Sequence, residues 1–209
     1  MGLKMNVEQL QKTLRASQYA EQVLGIHRNL IEQDYAVDQF LIPLSTEQIQ
    51  AFVQAALNNI TNENAWMREM RILRARLMFR WIWQDANALT DVVTLTRELS
   101  DFADASICEA KAFAYQPLAA KHGEPMGYNG KVQDLIVIAM GKLGAQELNL
   151  SSDIDLIFAF DEQGETNGRK CIDVQQFCIL WGQKLIYLLD HMTADGFVFR
   201  VDMRLRPWG

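Results

Sequence analysis

The sequence predicts an α+β protein: a helical bundle over residues 1–124, followed by a sheet with packed helices over residues 125–209. Three observations carry this. Glycine and proline are scarce over residues 7–120, where apolar side chains recur at three- and four-residue steps. The stretch "KHGEPMGYNGK" (121–131) then concentrates Gly123, Pro125, Gly127 and Gly130, marking a loop between two regimes. Beyond it, short runs such as "DLIVIAM" and "IDLIFAF" replace the helical period, giving the order strand, turn, strand, helix, strand.

The helical elements can be justified in turn. "PLSTEQIQAFVQAALNNI" opens with Ser45 and Gln48 at capping-box spacing, which satisfies free N–H groups at a helix start. A helix over about 63–88 places Trp66, Met70, Leu73 and Leu77 on one stripe. A helix over about 91–114 does the same with Val92, Leu95, Leu99, Phe102 and Phe113. The short links "NNITNEN" and "ANALTD" favour antiparallel neighbours. In "MREMRILRARLMFRWIW", Arg68, Arg71, Arg74, Arg76 and Arg80 are spread around the helix. That spread favours a solvated, partly salt-bridged surface over a phosphate or acidic-partner site, with Arg80 as the exception. After a polar loop (161–172), an amphipathic helix over about 173–191 offers Phe177, Leu180, Trp181, Leu185 and Leu188 for packing, and "DGFVFRVDMRLRP" forms a last strand.

Composition narrows the function classes. A net charge of −6 argues against general nucleic-acid affinity, which normally leaves a basic footprint. Cys108, Cys171 and Cys178 contain no CxxC and read as ordinary buried thiols in a reducing compartment. No signal peptide opens the sequence, and no apolar run approaches the ~18 residues of a membrane span. The expectation is a cytoplasmic protein with neither nucleic acid nor membrane as partner. His27, His122 and His191 lack a triad-like context, and His191 stands at a helix end, where it complements the dipole.

The chemistry is concentrated in "SSDIDLIFAF" (151–160). Alternation along a strand puts Asp153 and Asp155 on one face and Ile154, Leu156, Phe158 and Phe160 on the other. On the last strand Phe197, Phe199, Val201, Met203 and Leu205 form the buried face, and Arg200, Asp202, Arg204 and Arg206 the opposite one. If the strands are neighbours, three carboxylates converge and repel unless a cation compensates. Hard divalent ions take oxygen ligands, and a pair of them organises the attacking and leaving oxygens of a phosphorus centre. Arginine forks suit phosphate oxygens. In "MGKLG", Gly141 follows a strand directly and lets the backbone approach a phosphate, although GxxxxGK[ST] is absent. Salt bridges from Asp153 or Asp155 to Arg204 or Arg206 would explain the acids structurally. The alternation on both strands and the upstream glycine favour the metal reading.

A glycine turn, D-x-D on the next strand and a third Asp on a later strand resemble the nucleotidyltransferase superfamily of the DNA polymerase β type. The strings "AMGKLGAQELNLSSDIDLIF" and "GFVFRVDMRLRPWG" are similar to the family of glutamine synthetase adenylyltransferase/adenylyl-removing enzymes, as is "NENAWMREMRILRARLMFRWIW". Ala145 departs from it, standing where a second glycine is usual. The resemblance implies one of two catalytic units in a long chain. The N-terminal unit removes AMP from a tyrosine of glutamine synthetase with phosphate, releasing ADP; the C-terminal unit attaches AMP from ATP. PII-type signal proteins and glutamine regulate both. The placement of the acids implies the AMP-removing unit. It also implies Asp153, Asp155 and Asp202 as catalytic ligands of Mg²⁺, two ions in all, and Gly141, Lys142, Ser152, Arg204 and Arg206 as binders of ADP, ATP or phosphate. The family's unit continues beyond Pro207-Trp208-Gly209, so the catalytic region is expected to be partial and the chain alone weakly active. The alternatives are AMP attachment by the same site, and a docking fragment that binds glutamine synthetase or a PII-type protein.

Replacing Arg204 or Arg206 by lysine keeps the charge and loses the bidentate fork. The expected result is weaker use of phosphate with little change in folding. Unchanged phosphate dependence in both variants would make them surface arginines.

Overall fold

A computed structural model describes residues 6–35 and 42–203. The chain divides into two compact units, Met1–Phe102 with Gln146–Ser151, and Ala103–Ala145 with Ser152–Gly209. The fold is α+β.

The first unit is helical: α1 (Val7–Ala16), α2 (Gln18–Tyr35), α3 (Thr46–Leu57), α4 (Glu63–Ala86) and the beginning of α5 (Val92–His122). Side chains close the helix starts. Asn62 accepts from the Ala65 N–H at 3.1 Å. The expected box at α3 is present, with the Ser45 N–H donating to Gln48 Oε1 at 2.8 Å and Ser45 Oγ accepting from the Gln48 N–H. The segment 146–151 belongs to this unit because the Leu148 N–H donates to Ser100 Oγ on α5.

Helix α4 touches α1, α2 and α3 and buries 14 of its 24 residues. Trp66, Met70, Leu73 and Leu77 are buried as the periodicity requires. Arg68 is exposed and Arg74 half-exposed as expected, but Arg71 corrects the expectation of a solvated face, because the helix is packed on several sides. Arg71 and Arg80 are fully buried, and Arg76 pairs with Asp34 of α2. Arg71 donates to the Met67 carbonyl at 2.8 Å. Arg80 forms a short ion pair with the buried Glu98 of α5 and donates to the Ile42 carbonyl. Glu98 also accepts from Trp81 Nε1 at 2.7 Å and from the Leu44 N–H at 2.9 Å. Arg80 is therefore committed to the core and not to a phosphate.

Helix α5 runs past its expected end near 114, through an exposed Pro117, to His122. The residues after the proline favour helix, and the Gly123 N–H closes the last turn on the Ala119 carbonyl at 2.8 Å.

The second unit holds β1 (Pro125–Gly127), β2 (Ile136–Met140), α6 (Gly141–Gly144), β3 (Ile154–Ala159), β4 (Gly164–Thr166), α7 (Val174–Asp190) and β5 (Val201–Asp202). One sheet has the order β2-β3-β5, with β2 antiparallel and β5 parallel to β3. Helix α7 lies in the crossover that a parallel pair needs. Its N-cap is Asp173, which accepts from the Gln176 N–H at 2.6 Å. Phe177, Trp181, Leu185 and Leu188 are buried, while Leu180 is only half-buried. A Cβ on Gly182 would stand 2.5 Å from the ring of Phe158, so glycine lets α7 meet β3 directly. Trp181 packs on Tyr115 of α5 with ring centroids 4.9 Å apart.

Three further expectations change. The breaker loop and the polar loop each contain a short strand, and β1 and β4 pair antiparallel. Three-residue ladders are too short to leave a period in the sequence. The last strand is also shorter, and its buried face is shifted. Val198 and Phe199 are both buried, whereas Phe197 is half-buried and Met203 is exposed. The cause is visible in the backbone: the Val198 and Phe199 N–H groups both donate to the Leu189 carbonyl at the end of α7, so regular alternation starts only at Val201. Leu205 lies outside the described residues. Among the thiols only Cys178 is buried, and burial pushes it up to about 11, while Cys108 and Cys171 are exposed. His191 does sit at the C-cap of α7, stacked on Tyr187.

Removing one partner of a buried ion pair leaves an uncompensated charge. Glu98→Ala is therefore expected to lower the unfolding free energy by about 3–5 kcal/mol, measured by urea denaturation. The double change Arg80→Met with Glu98→Leu is expected to recover only part of that loss, because the Trp81 Nε1–H and the Leu44 N–H lose their acceptor.

Candidate functional site

The pairing of β5 with β3 builds the site. Ile154 faces Val201 and Asp155 faces Asp202 in register. The Ile154 N–H donates to the Arg200 carbonyl at 2.9 Å, which brings Arg200 opposite Asp153 just ahead of the ladder. Side chains two residues apart on a strand share a face. Asp153, Asp155, Arg200 and Asp202 therefore belong to one face, and Ile154 is buried beneath the other.

The acids are not equivalent. Asp153 accepts a salt bridge from Arg200 Nε at 2.6 Å, with both side chains about half exposed to water. Asp155 and Asp202 are half-buried and face each other across the strands. Like charges directly opposite in a ladder destabilise it unless something compensates. Among the described residues, no three carboxylate, imidazole or thiol groups are gathered closely enough to hold a metal ion together. The donors are nevertheless of the hard-oxygen kind that divalent cations such as Mg²⁺ take, and the register brings two of them side by side.

On the other flank, Met140 of β2 pairs with Asp155, and Gly141 follows immediately. Gly141 has φ +56°, and a Cβ there would stand 2.5 Å from Asp155 Oδ2. Both facts favour glycine, so the turn and the carboxylate form one feature. Buried Leu143 anchors the turn from within α6. Lys142 is exposed on it, and Ser152 is half-buried just before Asp153. Arg204 and Arg206 lie outside the described residues. Alternation puts Arg200 on the face of Asp202, but the sequence assigns it no partner. Its signal was the two-residue step before Asp202, the same step that separates Asp153 from Asp155.

The acidic face continues as an apolar ribbon. Ile136, Ile138 and Met140 of β2 are exposed, with Ala159, Ile157 and Asp155 of β3 as their register partners. The same unit also holds a cavity of about 500 Å³ lined by Cys108, Lys111, Tyr115, Asp134 and Trp181 among others. Lys111 is tied to Asp134 there at 2.6 Å, and none of the acids above lines it.

Residues 7–209 match the family described as glutamate-ammonia ligase adenylyltransferase. Over 205 residues the chain is 78% identical to a bifunctional glutamine synthetase adenylyltransferase/adenylyl-removing enzyme of Acinetobacter baylyi, covering 98% of this chain and 22% of that protein. A protein of the same description from Thioalkalivibrio sulfidiphilus is 47% identical over 80% of this chain, and one from Hahella chejuensis is 51% identical over 73%. The match spans 17% and 16% of those two proteins. The chain thus covers about a fifth of the length of the relatives it matches.

Gly141→Ala should leave the protein folded. The left-handed conformation costs an alanine roughly 1–2 kcal/mol, and the Asp155 side chain can swing away from the new methyl group. The expected outcome is a modest fall in urea stability together with a displaced Asp155 carboxylate, visible in a crystal structure of the variant.

Proposed function

The chain belongs to the glutamate-ammonia ligase adenylyltransferase family, and from that premise we propose that it carries the acidic part of a nucleotidyl-transfer site that removes AMP from a tyrosine of adenylylated glutamine synthetase. The observation that carries the proposal is the facing of Asp155 and Asp202 beside the Gly141 turn. A nucleotide phosphate needs a backbone without side-chain obstruction and carboxylates that can hold cations; the Gly141 turn and the facing of two carboxylates support this reading.

In this reading an oxygen of inorganic phosphate attacks the phosphorus of the tyrosine-bound AMP. The bond from that phosphorus to the tyrosine oxygen breaks, ADP leaves, and the tyrosine oxygen takes up a proton. Phosphate is already an anionic nucleophile, so the step needs positioning and charge neutralisation more than a side-chain base. Asp155 and Asp202, with Asp153 as the third carboxylate, would hold the Mg²⁺ that the family's chemistry implies, and bound Mg²⁺ supplies Lewis-acid neutralisation of phosphoryl oxygens. Gly141 keeps the turn close to Asp155, while Lys142 and Ser152 stand on the segments flanking the acids. Arg204 and Arg206 are the phosphate forks of the proposal.

The direction of transfer rests on the resemblance of a helical region followed by acids near residues 153 and 202 to the family's N-terminal unit. Regulation by a PII-type protein and a cytoplasmic setting belong to the same proposal. No described helix is long and apolar enough to cross a membrane.

The test uses the complete enzyme of which this chain would be part. Adenylylated glutamine synthetase, Mg²⁺ and phosphate are expected to yield ADP, and Asp155→Asn to lower the rate by ~100-fold or more, the scale of losing a group that stabilises transition-state charge. Near-normal turnover in that variant would defeat the site assignment. AMP attachment from ATP, lost in the same variant while removal persists, would reverse the direction. This chain assayed alone is expected to be far slower than the complete enzyme, because first-contact carboxylates need a supporting shell to stay in place.

A further inference from the structure

We propose that the cavity lined by α5, α7 and residues 132–134 is a binding site for an uncharged, flat heteroaromatic molecule of one or two fused rings. It uses no residue of the acidic face, so it stands independently of the function proposed above.

The walls come first. Cys108, Ala112 and Gln116 stand one turn apart on α5 with Lys111 and Tyr115 alongside, so one face of that helix lines the space. All of the lining belongs to the second compact unit. The volume of about 500 Å³ falls within the ~300–1,000 Å³ of small-molecule sites. Trp181 packs on Tyr115, and Phe177 meets both rings edge-on with centroids 5.9 and 6.0 Å away. The Trp181 Nε1–H donates to the Lys111 carbonyl at 2.8 Å, which pins the indole to α5. This aromatic wall is fixed before any ligand arrives, and it suits a flat ring that stacks on it.

Charge decides the class of ligand. Lys111 and Asp134 are the charged groups of the lining, and they neutralise each other at 2.6 Å. The ammonium also lies 5.7 Å from the centre of the Trp181 ring. An ionic ligand gains only by competing with that pair, because no charge is left over for it. The thiol and the phenol add none. Burial, and after it Asp104, holds the Cys108 thiol above its usual range. Burial, and after it Glu124 and Asp134, does the same for the Tyr115 hydroxyl. Gln133 is committed at both ends: its Oε1 accepts from the Glu162 N–H at 2.8 Å and its Nε2 donates to the Lys131 carbonyl at 3.3 Å. The lining therefore offers aromatic surface, the Tyr115 hydroxyl and the exposed Gln116 amide. A heteroaromatic ring matches this set, since it joins a flat apolar face to a ring nitrogen that can hydrogen-bond.

The cavity carries its own reporter. Cys108 lines it and is exposed, whereas Cys171 is exposed outside the lining and serves as the internal reference. The experiment is iodoacetamide labelling of this chain, resolved by peptide mass spectrometry, with indole as the probe. Indole is expected to slow the labelling of Cys108 and leave Cys171 unchanged, with a half-effect on the order of 1 mM for so small a ligand. Tryptamine and indole-3-acetate keep the ring and add a positive or a negative charge, and each is expected to protect at least about tenfold more weakly. Cyclohexanol, uncharged but not flat, is expected to protect no better than these two. Ala112→Trp fills the space from an exposed helix position and is expected to make Cys108 labelling independent of indole. Gln116→Trp is a second filling variant that decides the matter should the first fail to fold, and urea midpoints establish which variants are folded. The proposal is overturned by a Cys108 rate that indole leaves unchanged, or by equal slowing of Cys108 and Cys171. Protection that survives in the folded filling variants also overturns it. Equal protection by either charged analogue or by cyclohexanol overturns the ligand class.

Discussion

The parallel pairing of β5 with β3 is the contact on which the site depends, and it is only two residues long. A ladder so short, with two carboxylates facing each other in it, does not hold itself together. What holds it is the approach of the chain. Val198 and Phe199 are buried, and their N–H groups both donate to the Leu189 carbonyl at the end of α7. Helix α7 is in turn seated on β3 through the close contact of Gly182 with Phe158. The position of Asp202 is thus set by a helix end and a glycine, with little contribution from strand hydrogen bonds.

The helical unit follows a different logic. Within its apolar core lies a desolvated charge cluster in which Arg80, Glu98, Trp81 and the backbone of Ile42 and Leu44 satisfy one another. Such clusters add little net stability compared with apolar packing, and they punish any loss of a partner. They also impose one arrangement, since a charge fork finds its partners in only one register of the helices. That is a reason for arginine to appear repeatedly on a helix that has almost no solvent face.

How far the sequence reveals this depends on the length of the signal. The stripe on α4 and most of the core face of α7 extend over several turns and appear where the periodicity indicates, and the box at Ser45 and Gln48 is a specific pair at fixed spacing. The acidic face was legible for the same reason, because Ile154 and Leu156 alternate with Asp153 and Asp155 over a real strand. The pairing of β1 with β4 left no period to read. Arg71 reads as solvated, and Arg80 as a phosphate candidate, because charge is a good guide to exposure only when a helix has one packed side. The phase of the last strand failed at Val198, where tertiary hydrogen bonds to α7 replace the strand ladder that alternation assumes.

In the sequence Arg200 is one of several arginines flanking Asp202, and nothing there marks it as the partner of Asp153. Residues opposite each other on parallel strands are set by where the ladder begins, and a sequence does not show that point. Once Ile154 is seen to donate to the Arg200 carbonyl, the partner of Asp153 follows, and the charge of the face follows from the partner. The ion pair answers the charge of Asp153 from the neighbouring strand. One step further along, Asp155 faces Asp202 beside the Gly141 turn, where a Cβ would stand 2.5 Å from Asp155 Oδ2, so the carboxylate and the turn constrain one another.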